Sequence, residues 1–210
     1  MSGRRRLFVW LYAGSGAAAL IYEVTWTRLL TLLLGHTVAA ASAVLAAMMG
    51  GLAIGAWMAG RFVARHPAAE AEAGSRLRLY AGLELAAATL ALLLPYELTL
   101  ATPVLRWAYA DGSARELFAT VRVAITLILV GAPAIVMGAT FPLAADWFAR
   151  RHDRKTAAAD AGALYAWNTL GAAAGALAAG FWLIPAIGLR GSTWIGVALN
   201  VVSCIASDSL

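Results

Sequence analysis

The residues of this sequence that could do chemistry are two carboxylates inside long apolar stretches, Glu23 and Glu84. A charged side chain in a lipid bilayer is costly, so an intramembrane carboxylate is by default a candidate for binding a proton or a cation. At ~1.5 Å per residue Glu23 lies ~24 Å along a helix from Leu7, which predicts a position toward the outer leaflet. Two interpretations stay open for it: a proton or cation site, or a side chain that reaches the interface or is neutralised by Arg28 or His36.

Glu84 lies ~10 Å into its predicted helix from the cytoplasmic side, and no basic residue stands within one helical turn of it. A functional and a structural role are equally open for this carboxylate. Asn168 follows Tyr165 and Trp167 in a late apolar stretch, and amides in membrane helices commonly hydrogen-bond to a neighbouring helix. We favour such a contact over substrate binding, but Glu23, Glu84 and Asn168 together form the candidate substrate or ion site.

The remaining reactive side chains predict neither a metal site nor a cofactor. His66 and His152 lie in basic loops without ligand spacing, and Cys204 is the single cysteine, which also rules out an internal disulfide. We therefore predict no catalytic residue, and we expect that the chain is not an enzyme by itself.

The composition indicates what kind of element must position these residues. Of the 210 residues, 62% are hydrophobic and 13% are charged, with a mean hydropathy of +0.76, far from the balance of soluble domains. Inside a bilayer the backbone must satisfy its own hydrogen bonds, and long runs of Leu, Ala, Val and Gly without period-two alternation favour helices over a barrel. The predicted fold class is all-α, a polytopic membrane protein.

The pattern of apolar runs predicts one transmembrane domain over residues 1–210, with six crossings. The first run is too long for a secretory signal, because ~20 residues already suffice to cross. The predicted transmembrane helices cover residues 7–34, 38–60, 77–100, 119–143, 161–184 and 192–206. A short interfacial helix is expected in the connection after the third crossing.

The basic residues predict the orientation. Eleven of the 16 lysines and arginines fall on the side of the N-terminus and four on the other. By the positive-inside rule both termini are cytoplasmic. The same rule explains the net charge of +5 better than a nucleic-acid partner does; the lipid bilayer is the predicted partner.

Tryptophans near predicted helix ends indicate aromatic belts at the membrane interfaces. They are Trp10, Trp26, Trp57, Trp147, Trp182 and Trp194.

A glycine pattern recurs about half a chain apart, in MGGLAIGAWMAGRF at 49–62 and LGAAAGALAAGFW at 170–182. A shift of 120 positions superposes the glycines of the two copies, which are Gly51, Gly55, Gly60, Gly171, Gly175 and Gly180. Small residues four apart let membrane helices approach closely, so these glycines are predicted at helix contacts. Because the second and fifth crossings run in opposite directions, we predict two inverted three-helix repeats.

Several ordered segments resemble the membrane domain of the bacterial spermidine synthase-like proteins, also described as fused MFS/spermidine synthase. They are GSGAAALIYEVTWTRLLTLLLGHT, VLAAMMGGLAIGAWMAGR, YAGLELA, MGATFPL and GALYAWNTLGAAAGALAAGFWLIPAIGLRG. A looser similarity links AGRFVARH and the last segment to a six-helix half of the major facilitator transporters, although Ala64 stands where their loop signature has an Asp. The first resemblance implies a soluble aminopropyltransferase-like domain after the helices, and the sequence contains no such unit.

Three functions follow as expectations. The first is a non-catalytic membrane module of a spermidine synthase-like protein, which anchors or feeds a soluble synthase-like partner domain. The second is a small-cation or polyamine transporter built from six-helix halves, as a homodimer. The third is a structural subunit of a larger membrane complex.

Overall fold

The computed structural model describes residues 3–34, 38–66, 73–109, 112, 114–149, 154–208 and 210, and it forms helices without strands over these residues. The helices are α1 (Gly3–Leu34), α2 (Val38–Arg65), α3 (Ala73–Tyr109), α4 (Arg115–Ala149), α5 (Arg154–Ala178) and α6 (Ile184–Asp208). A π-helical turn, Ala179–Leu183, joins α5 to α6. The all-α prediction is confirmed for the described part of the chain.

Five helical segments of the described chain are long and apolar enough to cross a membrane. They are Gly3–Leu32, Val38–Arg65, Gly74–Tyr109, Arg115–Ala149 and Thr156–Asp208. The count is five and not six because the predicted turn at 184–191 is itself largely helical, so the last two predicted crossings form one segment of 53 residues. The predicted interfacial helix after the third crossing is likewise part of α3, which continues through Pro95 and Pro103.

The last segment nevertheless changes direction at Gly188. Its backbone there has φ 71° and ψ 179°, a conformation that is nearly restricted to glycine because a Cβ atom would clash. The π-helical turn just before it precedes Pro185, whose ring cannot fit a regular α-helical turn. The sequence IPAIG thus contains Pro185 and Gly188, the two residues that separate one helix from the next.

The glycine contacts define two parallel helix pairs. Gly171 packs on Ala13 and Gly175 on Ala17, so residue numbers rise together along α5 and α1. In the same way Gly51 packs on Ala134 and Gly55 on Ile135 and Ala139, which makes α2 and α4 parallel. A Cβ at any of these four glycines would collide with backbone or Cβ atoms of the partner helix.

α6 runs antiparallel to its neighbours. Gly196 packs on Tyr22 of α1, while Leu199 lies near Gly14, so rising numbers in α6 meet falling numbers in α1. The core lies where α1, α3 and α6 meet and extends to α2 and α4, with Tyr22, Trp26 and Leu30 among its largest buried side chains.

Two ion pairs connect helices near the end of the bundle that carries the N-terminus. Arg5 of α1 contacts Asp160 of α5 at 2.6 Å, and Arg76 of α3 contacts Asp146 of α4 at 3.1 Å. Arg76 is only 3% exposed and also donates a hydrogen bond to the His66 carbonyl. These pairs fix how α1, α3, α4 and α5 are spaced at this end.

The prediction that six tryptophans form aromatic belts is wrong for one of them. Trp10, Trp57, Trp182 and Trp194 have more than half of their surface exposed on the outside of the bundle. Trp26 is 1% exposed and stacks on Tyr22 with ring centroids 5.4 Å apart. The prediction rested on the position of Trp26 near a helix end. That position does not show that its side chain points inward, toward α3 and α6.

Candidate functional site

Glu84 lies at the centre of a polar network between α1, α3 and α6. It is 1% exposed, and each carboxylate oxygen accepts a hydrogen bond from a different helix. Ser15 Oγ of α1 donates to Oε1 at 2.6 Å, and Asn200 Nδ2 of α6 donates to Oε2 at 2.5 Å. The hydroxyl of Tyr80, one turn away on α3, lies close enough to interact with the same carboxylate.

The partners of Glu84 are held in turn by further groups. Tyr22 Oη donates to Asn200 Oδ1 at 2.7 Å, which directs the amide nitrogen of Asn200 toward Glu84. Tyr80 Oη and Ser203 Oγ are 2.9 Å apart and share a hydrogen bond. The network therefore ties α3 to α6 at two successive turns, through Tyr80 and Glu84, and to α1 at Glu84.

This arrangement holds a carboxylate inside an apolar bundle without a cation beside it among the described residues. A buried carboxylate is tolerable only when donors satisfy its oxygens, and here hydroxyl and amide groups do so. Glu84 is almost fully covered and both of its oxygens have donors, so the network joins three helices.

Glu23 has a different environment. It is partly buried on α1, and among the described residues it makes neither a hydrogen bond nor an ion pair. Arg28, predicted as a neutralising partner, is exposed and forms no ion pair with it. His36, the other predicted partner, lies outside the described residues. Glu23 thus has no partner among the described residues.

Asn168 is an inter-helix contact. Its Nδ2 donates to the backbone carbonyl of Tyr12 at 2.9 Å, and Gly16 lies so close that a Cβ there would collide with it. Asn168 therefore belongs to the contact between α5 and α1, and the structure does not bring it together with Glu84 or Glu23.

The six predicted glycines divide into two groups. Gly51, Gly55, Gly171 and Gly175 are the close contacts already described, whereas a Cβ at Gly60 or Gly180 would have no atom within 4 Å. Gly138, which the repeat does not include, makes an equally close approach to Leu52.

Sequence reasoning missed the partners of Glu84. Ser15, Tyr22, Tyr80, Asn200 and Ser203 are all buried. Their signal was spacing: Ser15 and Tyr22 are seven apart on α1, Tyr80 and Glu84 four apart on α3, and Asn200 and Ser203 three apart on α6. Each pair lies on one face of its helix, so three polar faces were available to be matched.

Within the described residues no group of three or more His, Cys, Asp or Glu side chains is arranged to hold a metal ion. Comparison with protein-family models, curated proteins and solved structures finds no match to this chain.

Proposed function

We propose that this chain is a transport module of the bacterial inner membrane that moves a proton or small cation, including a polyamine, and works as a homodimer of six-crossing bundles. The observation that carries the proposal is Glu23, a partly buried carboxylate in an apolar segment, without a described partner. An ionisable group in such a place is expected to serve an ion or substrate path.

The helix contacts support a transporter architecture. If α1, α2 and α3 are exchanged with α4, α5 and α6, the parallel contact of α2 with α4 becomes that of α5 with α1. The contact of α3 with α4 becomes that of α6 with α1, and all four contacts are present. We infer two inverted three-helix repeats with six crossings, the last two separated at Gly188, and secondary transporters are commonly built in this way.

In this proposal the two intramembrane carboxylates have different roles. Glu23 contacts the cation. Glu84, with both oxygens bonded, is a positioning residue that holds α1, and with it Glu23, against α3 and α6.

The test is flux through the purified chain in vesicles of phosphatidylcholine and phosphatidylglycerol. Proton entry is followed with a trapped pH-sensitive dye under an imposed potassium diffusion potential, and polyamine entry with radiolabelled putrescine. We expect Glu23→Gln to reduce flux of the transported cation to that of protein-free vesicles. Glu116→Gln, an exposed carboxylate at the start of α4, is the matched control and keeps the parent rate. Equal flux in Glu23→Gln and the parent would refute the proposal.

A second candidate is a membrane module, non-catalytic by itself, that anchors a soluble synthase-like partner. The buried network favours this candidate, because four of its members lie in the segments that resemble the spermidine synthase-like family. They are Ser15, Tyr22, Tyr80 and Glu84. The purified chain incubated with putrescine and decarboxylated S-adenosylmethionine should then give no spermidine, and a soluble synthase-like protein should co-purify with it. Turnover without a partner, or purification without one, counts against this candidate.

A further inference from the structure

A cavity of about 550 Å³ lies between α1, α3 and the part of α6 that directly follows Gly188. It is at the end of the bundle opposite the Arg5 and Arg76 ion pairs. Two helix irregularities border the cavity. Pro95 lines it and cannot donate a backbone hydrogen bond to the Ala91 carbonyl. Gly188 comes directly before Leu189, which is part of the cavity wall. Its volume is within the range of ~300–1,000 Å³ for small-molecule sites.

The cavity has an apolar wall and a polar rim, and none of the described lining residues is acidic. Leu29 of α1 and Leu92 and Pro95 of α3 form the apolar wall, and Arg190 is the one charged side chain among the described lining residues. The threonine hydroxyls of the lining donate within their own helices, as Thr193 does to the Leu189 carbonyl. The site therefore favours a ligand that has an alkyl part and a negatively charged head.

Trp26 lies at the wall of this cavity and is 1% exposed. Its Nε1 is covered by protein atoms and has no hydrogen-bond partner among the described residues. Stacking on Tyr22, which is itself bonded to Asn200, fixes the indole in place. Because Nε1 is covered, Trp26 contributes an apolar ring to the wall and no donor.

We propose that this cavity binds one anionic amphiphile, a molecule with a phosphate or carboxylate head and an alkyl chain. The guanidinium of Arg190 binds the head, since arginine matches the geometry of both anions. The alkyl chain lies along Leu29, Leu92 and Pro95. The site is separate from Glu23 and does not depend on cation transport.

Photolabelling of the full chain in phosphatidylcholine vesicles tests this proposal. Three probes that carry a diazirine on the acyl chain are compared: phosphatidylglycerol, palmitate and phosphatidylcholine. We expect phosphatidylglycerol or palmitate to label the segments 25–29, 91–99 and 189–194, and phosphatidylcholine to label them at least ~10-fold less, about the effect of one charge-assisted hydrogen bond. Stronger labelling by phosphatidylglycerol identifies a membrane lipid as the ligand, and stronger labelling by palmitate a free fatty acid.

Variants separate the site from general lipid contact. Arg190→Ala should lower labelling of these segments by ~10-fold, with most of it restored in Arg190→Lys. Arg190 is exposed, so both variants should fold, as gel filtration and circular dichroism will verify. Arg115→Ala, exposed elsewhere, is the matched control. Equal labelling by all three probes, or parent-level labelling in Arg190→Ala, overturns the proposal.

Discussion

Glu84 depends on donors that come from two other helices, so its chemistry can be altered in graded steps. A glutamine at this position could accept from the Asn200 amide through its carbonyl and donate to the Ser15 hydroxyl through its amide. A leucine could do neither and would leave the Asn200 N–H buried without an acceptor, because Asn200 is only 2% exposed. The two substitutions therefore distinguish the hydrogen bonds of Glu84 from its charge.

We predict that Glu84→Leu lowers the free energy of unfolding by about 1–3 kcal/mol more than Glu84→Gln, the usual cost of leaving a buried polar group unsatisfied. Thermal unfolding in mild detergent, followed by far-ultraviolet circular dichroism, measures the difference. Thr89→Leu is the matched control, since Thr89 is exposed on the same helix and bonds only within it. If Glu84→Leu unfolds at the temperature of Glu84→Gln, the network does not contribute to stability.

At this scale the sequence is informative about residue type and uninformative about partners. Glu23, Glu84 and Asn168 stand out because polar groups are rare in apolar helices, but their neighbours depend on which helices meet. Glu84 and Asn200 are 116 positions apart, and no local pattern links them. Trp26 shows the same limit, since its depth in the bundle depends on α3 and α6 and not on its distance from a helix end.

At the scale of elements, the helices pair through glycines whose environments are not alike. A Cβ at Gly55 would fall on the Ile135 carbonyl, whereas a Cβ at Gly60 would meet nothing within 4 Å. Both glycines lie in α2 and differ from alanine equally in helix propensity. Their substitution therefore compares close packing with intrinsic preference on one helix.

We predict that Gly55→Ala destabilises the bundle by about 1–3 kcal/mol, the usual cost of overpacking, because α2 and α4 must separate to admit the methyl group. Gly60→Ala should be neutral or stabilise by about 0.5–1 kcal/mol through helix propensity. The measurement is the unfolding temperature in detergent together with the yield of monodisperse protein. A parent-like Gly55→Ala would mean that α2 and α4 are not in close contact.

Helix existence and type follow from the sequence better than helix ends do. The apolar runs predict each segment, because length and composition suffice for that. The structure places the ends of α3 and the change of direction in the last segment differently from the prediction. The reason is that prolines and glycines, which usually mark helix ends, can lie inside long helices. Pro95 and Pro103 lie inside α3, and of the glycines near the final turn only Gly188 takes a positive φ.

For the whole molecule, the relative direction of the helices predicts which connections share a side of the membrane. α1 and α5 are parallel and both begin near the Arg5–Asp160 pair, so α5 begins on the same side as α1. The end of α3 and the start of α4 then lie on the opposite side.

We predict that a membrane-impermeant thiol reagent added to intact cells labels Ser113→Cys and fails to label Gly74→Cys. Both changes are made in a Cys204→Ser background, which removes the only native thiol. After the membrane is permeabilised, both positions should react, which controls for accessibility. Labelling of Gly74→Cys alone in intact cells would reverse the proposed orientation, in which both termini are cytoplasmic.

The internal repeat was recognisable in the sequence because close contacts restrict residue size, and the same restriction acts at Gly51 and Gly171. What it did not reveal is which helices these glycines touch. The structure pairs each with a helix of the other half, α2 with α4 and α5 with α1.

That pairing has a consequence for biosynthesis. α1 and α2 touch little compared with α1 and α5, so the first two helices to emerge have few contacts with each other. Glu84 and its amide partner Asn200 are separated by 116 residues, which take ~6 to 23 s to translate at ~5–20 residues per second. During that interval the nascent chain must hold a carboxylate without the Asn200 donor, either at the translocation machinery or with water still beside it. Because α6 emerges after α1 and α3, its arrival completes the network around Glu84.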